Sequence, residues 1–219
     1  MDIQALCTRY ETLSPSQKLW QVFDDFDKVL VTSSFGTSSA FLLHHLHRVR
    51  PEQPVYFIDT TYHFKETYDY RKKIEEIWGL KVITVKPKAI ENKYTALSWT
   101  WTYDSEACCE INKVEPLQEL KSQFEVWVSG MVGRTTERRK NMDIFEHDGD
   151  ILRFYPFLDL DPQEVDWYRK IYDLPDHPLK SQGYGSVGCT HCTVKGKGRE
   201  GRWKGQGKSE CGLHMFKAG

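Results

Sequence analysis

Short apolar runs of strand length alternate with helix-length amphipathic segments through most of this 219-residue chain. Few folds satisfy that pattern. Strands separated by helices pair in parallel through crossovers that leave the helices on the sheet faces. The clearest unit is KVLVTSSFGTSSAFLLHHLHRV: Val29 to Thr32 reads as a strand, a small-residue turn follows, and Leu42, Leu43, Leu46 and Val49 recur at helical spacing. Pro51 and Pro54 close that helix, and PVYFIDTTYHF predicts a second strand with Asp59 at its carboxyl end. Further helices are expected over 65–78, over 113–123, and from Pro162 to about Tyr172, with strands at 81–85, at 124–129 and within ILRFYPFLDL. An amphipathic, helix-like stretch around Leu19, Val22 and Phe26 precedes them. The expected fold class is α/β, a mostly parallel sheet flanked by helices.

Composition changes after about residue 176. Nine of the 15 glycines lie between 183 and 212, and six Lys or Arg face one Glu between 193 and 208. Such a stretch forms little helix and reads alone as a flexible, basic C-terminal tail. The cysteines inside it argue that part of it orders around something. The expected division is therefore a principal unit at 1–175 and a C-terminal segment at 176–219. The chain as a whole has 30 Lys and Arg against 31 Asp and Glu, a net charge of -1. That balance excludes a general nucleic-acid binder and leaves local basic patches for a small anion. With no leader-like start and no apolar run long enough for a membrane span, the expected location is cytoplasmic, where structural disulfides are rare.

Six cysteines in such a compartment call for metal binding, thiol chemistry or burial. Cys108-Cys109 and Cys189-Thr190-His191-Cys192 form two tight pairs eighty residues apart. Thiolate sets of this kind select an iron–sulfur cluster or zinc. Adjacent cysteines suit a cluster better, because separate iron atoms can take neighbouring thiolates. Zinc, a redox C-x-x-C pair and plain buried thiols stay open as alternatives. Cys211, in KSECGLH, is either an incidental residue near a frayed end or a mobile nucleophile whose thiolate Lys208 and His214 favour. Cys7 reads as packing.

The turn VLVTSSFGTSS places Ser33, Ser34, Phe35, Gly36, Thr37 and Ser38 between a strand and a helix, where backbone amides attract phosphate or sulfate. It is neither a Walker loop nor a dinucleotide fingerprint, and serines also serve there simply as caps. Two further basic groups follow a strand end and a cysteine pair: Arg134, Arg138, Arg139 and Lys140, then Lys195, Lys197, Arg199 and Arg202. Arginines suit bidentate contact with sulfate or phosphate.

With CCEINKVEPL, HPLKSQGYGSVGCTHC, GREGRW and ECGLH in that order, the chain resembles the assimilatory sulfonucleotide reductases over about residues 28–214. The resemblance implies an adenine-nucleotide α-hydrolase-like domain over 1–175, with SSFGTSS as its modified phosphate loop and FIDTTYHFKET, including Asp59, lining the adenosine pocket. It implies that Cys108, Cys109, Cys189 and Cys192 ligate a [4Fe-4S] cluster, that Lys113 lies beside that cluster, and that Arg139, Arg199 and Arg202 contact the anionic substrate. Cys211 matches the family nucleophile, and His214 belongs to the same signature. The implied reaction is attack of the Cys211 thiolate on the sulfate of adenosine 5'-phosphosulfate, release of AMP, and reduction of the resulting S-sulfocysteine by thioredoxin or a similar dithiol protein. A homo-oligomer, dimer or tetramer, is implied by the resemblance alone.

One departure stands out. The family commonly carries two arginines soon after the glycine matching Gly130, whereas this chain has Val132 and Gly133, with Arg134 one place later. The cysteines resemble the branch that uses unphosphorylated adenosine 5'-phosphosulfate, while the phosphate loop also resembles versions from the 3'-phosphorylated branch. Reduction of the 3'-phosphorylated nucleotide is therefore one alternative. A non-catalytic, metal-stabilised nucleotide-binding protein and a zinc protein with a basic tail are others.

Overall fold

The computed structural model describes residues 2–133, 137–204 and 213. Two helices, α1 (Ile3–Glu11) and α2 (Pro15–Asp25), lead into β1 (Val29–Thr32). There follow α3 (Ser39–Val49), β2 (Val55–Ile58), α4 (Lys65–Trp78), β3 (Val82–Val85), α5 (Ala89–Leu97), α6 (Ser105–Cys109), α7 (Glu115–Lys121), β4 (Val126–Ser129), α8 (Glu137–Lys140), β5 (Phe145–Asp148), β6 (Ile151–Phe154) and α9 (Pro162–Ile171). Local chemistry explains several boundaries. Ser14 and Gln17 exchange capping-box hydrogen bonds at the start of α2, and Asp161 and Glu164 do so for α9, with proline in the first turn of each. Gly79, in a left-handed conformation, ends α4.

The strands form one sheet in the order β3-β2-β1-β4-β6-β5. Every pair is parallel except β5 with β6 at one edge. The mostly parallel sheet expected from the alternation is therefore present. Strand β5 was not legible as a strand, because FEHD is half charged and pairs only through a tight hairpin at Gly149. The helix expected over 113–123 begins earlier: α6 passes through a π-helical turn (Glu110–Val114) into α7.

Side chains alternate across the sheet as strand geometry requires. Val29, Val31, Val55, Phe57, Val126, Val128 and Phe154 enter the larger core, beneath helices that include α2 and α3. Leu30, Ile58, Trp127 and Ile151 face the other way and meet Leu117 of α7. Beside that smaller core Asp148 binds both Lys121 and the Arg153 Nε, the latter at 2.8 Å. Burial opposes the Asp148 charge, and hydrogen bonds from Arg153 and Lys121 overcome it, holding its carboxyl below the ordinary range.

His45 and His177 are buried at 3% and 1% exposure, and desolvation holds both near pKa 4. His45 stacks on Tyr168 at 4.4 Å, while His177 Nδ1 accepts from the Leu179 N–H and its Nε2 meets Thr67 Oγ1 at 3.2 Å. Unfolding returns each to an ordinary value of about 6.5, so the unfolded chain binds more protons between the two. Stability is thus complete above about pH 6.5 and declines toward pH 4, by about 1.4 kcal/mol per pH unit for each histidine within that window. Urea unfolding across pH 4.5–7 is expected to show this slope, and His45→Gln is expected to flatten it. An unchanged slope in that variant would remove His45 from the account.

Candidate active site

Strands β1 and β4 are neighbours, yet their following segments depart to different parts of the fold. Such a switch point at the carboxyl ends of parallel strands leaves a crevice. Here it is a cavity of about 420 Å³, floored by Thr32 and Ser33 from β1 and its turn, and by Trp127, Ser129 and Gly130 from β4 and its turn. The Trp127 indole N–H donates to Thr32 Oγ1 at 2.8 Å, tying β4 to the carboxyl end of β1.

Ser33, Ser34, Gly36, Thr37 and Ser38 line this cavity at the entrance to α3, where helix-terminal amides face outward. The loop is clamped. Ser33 Oγ accepts from the Phe35 N–H at 3.2 Å, Thr37 Oγ1 donates to the Gly185 carbonyl at 3.0 Å, and Arg169 donates to the Thr37 carbonyl at 3.4 Å. Phe35 serves differently from its neighbours. Its backbone has φ 48°, and its fully buried ring packs edge-on against Phe57 at 5.6 Å, so it anchors the loop rather than lining the cavity.

Lys113, Arg139, Arg199 and Arg202 supply the charge, and no carboxylate joins them among the described lining residues. A cavity lined by four cations is suited to a polyanion. Arg202 donates to Ser186 Oγ and the Val187 carbonyl at 3.3 and 3.2 Å and lies over the Trp203 ring at 4.3 Å. A Cβ on Gly188 would come within 2.2 Å of Arg202 Nη2, so only glycine leaves that guanidinium its place. The glycine-rich segment closes through backbone contacts of this kind. Tyr184 bridges Gly196, Thr193 bridges Arg202, and a Cβ on Gly185 would strike the Gly198 backbone at 2.4 Å. Residues 176–204 therefore fold by close chain crossings, where composition alone pointed to flexibility. His63, also at the cavity, is held near pKa 4 by burial and then by Lys113, and its Nε2–H is directed at the Ile58 carbonyl at 3.1 Å.

A second, smaller cavity is lined by Cys108, Cys109, Cys189 and Cys192 together. Two pairs eighty residues apart thus converge. The π turn contributes: five-residue spacing brings Lys113 round toward the side of Cys108, so 108, 109, 112 and 113 all reach this cavity. Thr190 N–H donates to the Tyr62 carbonyl at 2.8 Å and Thr60 Oγ1 shares a 3.3 Å hydrogen bond with Cys189 Sγ, docking the C-x-x-C turn on the loop after β2. Burial pushes the Cys108 thiol up to about 11, and charge on Cys189 and Cys192 adds to the rise. The four cysteines share this cavity, and an all-sulfur donor set is the kind that iron or zinc takes, while no three such side chains among the described residues are set at metal-holding distance. Lys113 lines both cavities. Cys7 lies elsewhere, in the larger core at 2% exposure, with its thiol pushed up by burial.

Asp59 does not line the anion cavity. Its carboxylate accepts from the Tyr68 hydroxyl at 2.7 Å and the Thr61 N–H at 2.9 Å, which shapes the loop that holds Cys189. Cys211, His214 and Arg134 lie outside the described residues, as does the side chain of Arg138. Leu213, two positions after Cys211, lines the anion cavity. Sequence reasoning did not single out Trp127 or Trp101, and it reached His63, Tyr62 and Asn112 only as members of FIDTTYHFKET and CCEINKVEPL. His63 lies beyond the carboxyl end of β2, the position that signals a site in parallel sheets, whereas Trp127 lies within β4 and reaches the cavity by its side chain. Trp101 reaches the cysteine cavity through a long-range contact with His191, whereas Asn112 lies one turn after Cys108 and bonds its carbonyl.

No helix among the described residues is long and apolar enough to cross a membrane. Residues 28–195 match the family described as phosphoadenosine phosphosulfate reductase domain. An adenosine 5'-phosphosulfate reductase of Bacillus cereus is 33% identical over 204 residues, 89% of this chain and 87% of its own. Among solved structures, a phosphoadenylyl-sulfate reductase from Candida auris superposes with a TM-score of 0.77 at 24% identity, covering 88% of this chain and 96% of its own. An NH3-dependent NAD synthetase from Campylobacter jejuni shares the fold more distantly, with a TM-score of 0.55 at 15% identity over 84% of this chain and 79% of its own. With a family match across most of its length, on a sheet whose switch-point cavity gathers four cations, this chain belongs to the phosphoadenosine phosphosulfate reductase domain family.

Proposed function

We propose that this chain reduces adenosine 5'-phosphosulfate to sulfite and AMP, using Cys211 as nucleophile and thioredoxin or a similar dithiol protein as reductant. The observation that carries the reading is Lys113, one cation shared by an anion cavity and a four-thiol cavity. The names of relatives at about one-third identity support the choice of nucleotide.

In this reading the hydroxyls and amides of Ser33, Ser34, Gly36, Thr37 and Ser38 bind the phosphate–sulfate anion together with Arg139, Arg199 and Arg202. The Cys211 thiolate, favoured by His214, attacks the sulfate sulfur. An S–S bond forms, the bond from sulfur to the phosphate oxygen breaks, and its electron pair leaves with AMP. The surrounding cations offset the charge that develops on that oxygen. A thiolate of the external dithiol then attacks Cys211 Sγ and expels sulfite. Its second thiol resolves the mixed disulfide and frees Cys211, so the dithiol is oxidised and sulfate is reduced by two electrons. Cys7 is buried in the core and offers no internal resolving thiol.

Cys108, Cys109, Cys189 and Cys192 would hold a [4Fe-4S] cluster, which when bound supplies a structural tie and a local electrostatic field. Lys113 offsets thiolate charge on one side and attracts substrate charge on the other.

Three outcomes are expected. Cys211→Ser should lower sulfite release by at least about a thousandfold, as loss of a nucleophile does, with nucleotide binding retained; turnover at the normal rate would leave a nucleotide-binding protein without this chemistry. Gly188→Ala should displace Arg202 and raise KM by about ten- to a hundredfold, the loss of a charged hydrogen-bond donor, while far-UV circular dichroism stays unchanged. Anaerobically purified protein should contain ~4 iron and ~4 sulfide per chain. Stoichiometric zinc in place of iron would overturn the cluster.

A further inference from the structure

Outside the four-thiol cavity three rings from three separate segments come together. Trp101, in the 3-10 turn after α5 (Thr100–Thr102), lies flat against His191 of the C-x-x-C turn at 3.7 Å between centroids and 4° between planes. Tyr62, from the loop after β2, meets both edge-on at 5.2 Å. All three line the cysteine cavity. Tyr62 and Trp101 are half-buried, and His191 is exposed.

This arrangement is braced from within. The Tyr62 hydroxyl bonds Thr95 Oγ1 at 2.8 Å, and Asn92 donates to the Asn112 side-chain carbonyl at 2.7 Å. Asn112 in turn donates to the Cys108 carbonyl at 2.9 Å. Helix α5 is thereby coupled to the first cysteine pair, while the backbone bond from Thr190 to Tyr62 couples the second. The outer layer has no such backbone tie. Trp101 and His191 meet through their ring faces, a contact of dispersion and quadrupole attraction that opens and closes more readily than a hydrogen-bonded ladder. Three of the thiols behind it are nearly sequestered, with Cys108, Cys109 and Cys192 at 7–9% exposure, and Cys189 is half-buried. Flat aromatic surface in front of buried sulfur excludes water and small dissolved electrophiles. It also keeps the local dielectric low, which strengthens the reach of Lys113.

We propose that Tyr62, Trp101 and His191 form an aromatic cap that shields the four-thiol cavity from solvent and from small oxidants and electrophiles such as dioxygen. Its protective role toward iron rests on the cluster reading above, whereas its role as a barrier to the thiols does not.

The test has two arms and two variants, Trp101→Ala and His191→Ala, each compared with wild type for far-UV circular dichroism. In the first arm, the full chain is treated with iodoacetamide and alkylation of Cys108, Cys109, Cys189 and Cys192 is timed by peptide mass spectrometry. In the second, anaerobically purified protein of measured iron content is exposed to air-saturated buffer and the loss of visible absorbance is followed. Both rates are expected to rise about three- to tenfold in either variant, as loss of one aromatic stack allows, and Trp101→Phe should restore most of the protection. Equal rates in wild type and in a folded variant of equal iron content overturn the cap. Should the wild type contain no iron, the cluster reading falls and the alkylation arm alone decides the cap. His191→Ala keeps the test open if Trp101→Ala fails to fold, because the exposed imidazole leaves little buried surface behind.

Discussion

The parallel pairing of β1 with β4, Val29 against Val126 through to Thr32 against Ser129, sets two loop departures side by side at one end of the sheet. The chain from β1 turns into α3, and the chain from β4 runs toward α8 and the edge hairpin. A crevice between them is unavoidable, and it contains the amino end of a helix whose first amides have no intrahelical acceptors. The sheet thus supplies, by its topology, a crevice with outward-facing amides suited to an anion, before any basic side chain is considered. The segment from Gly185 to Gly188 covers that site and Thr37 fastens the cover through its bond to the Gly185 carbonyl.

Charge is distributed in the same economical way. Lys121, Asp148 and Arg153 form a buried group beside the smaller core, with Lys121 and Arg153 near the Trp127 ring at 5.2 and 5.0 Å. Desolvation makes such groups costly unless they are well paired, and here one carboxylate is shared by two cations. That group, one carboxylate between two cations, lies against Trp127, which also lines the switch-point cavity. Four further cations, Lys113, Arg139, Arg199 and Arg202, are gathered at the cavity itself. The near-zero net charge of the chain conceals this separation entirely.

Much of the scaffold was legible beforehand. Strand β1, helix α4 and the start of α9 lie where apolar periodicity and proline capping put them, because those signals are local. The segments that line the two cavities were also legible as groups: the turn at 33–38 with Arg139, Arg199 and Arg202 at one, and Cys108-Cys109 with Cys189 and Cys192 at the other. Phe35 and Asp59 show where motif reading stops. Both belong to the expected site segments, yet one ring turns into the core against Phe57 and one carboxylate is engaged by Tyr68. Neighbours along a loop alternate in direction, and only packing decides which of them face the ligand.

The sequence by itself determined the α/β alternation, the identity of the sulfur and guanidinium donors, and the tight glycine spacing of the C-terminal segment. These are properties of residue type and short-range period. Tertiary structure decided that Lys113 borders both cavities, that a π turn brings it beside the cysteines, that Gly188 makes room for Arg202, and that Trp101 lies across His191. Each of those facts depends on contacts between segments tens of residues apart, or on a helical register change within one, and no local propensity encodes them. They follow from close packing, which admits only one arrangement of these side chains around the two cavities.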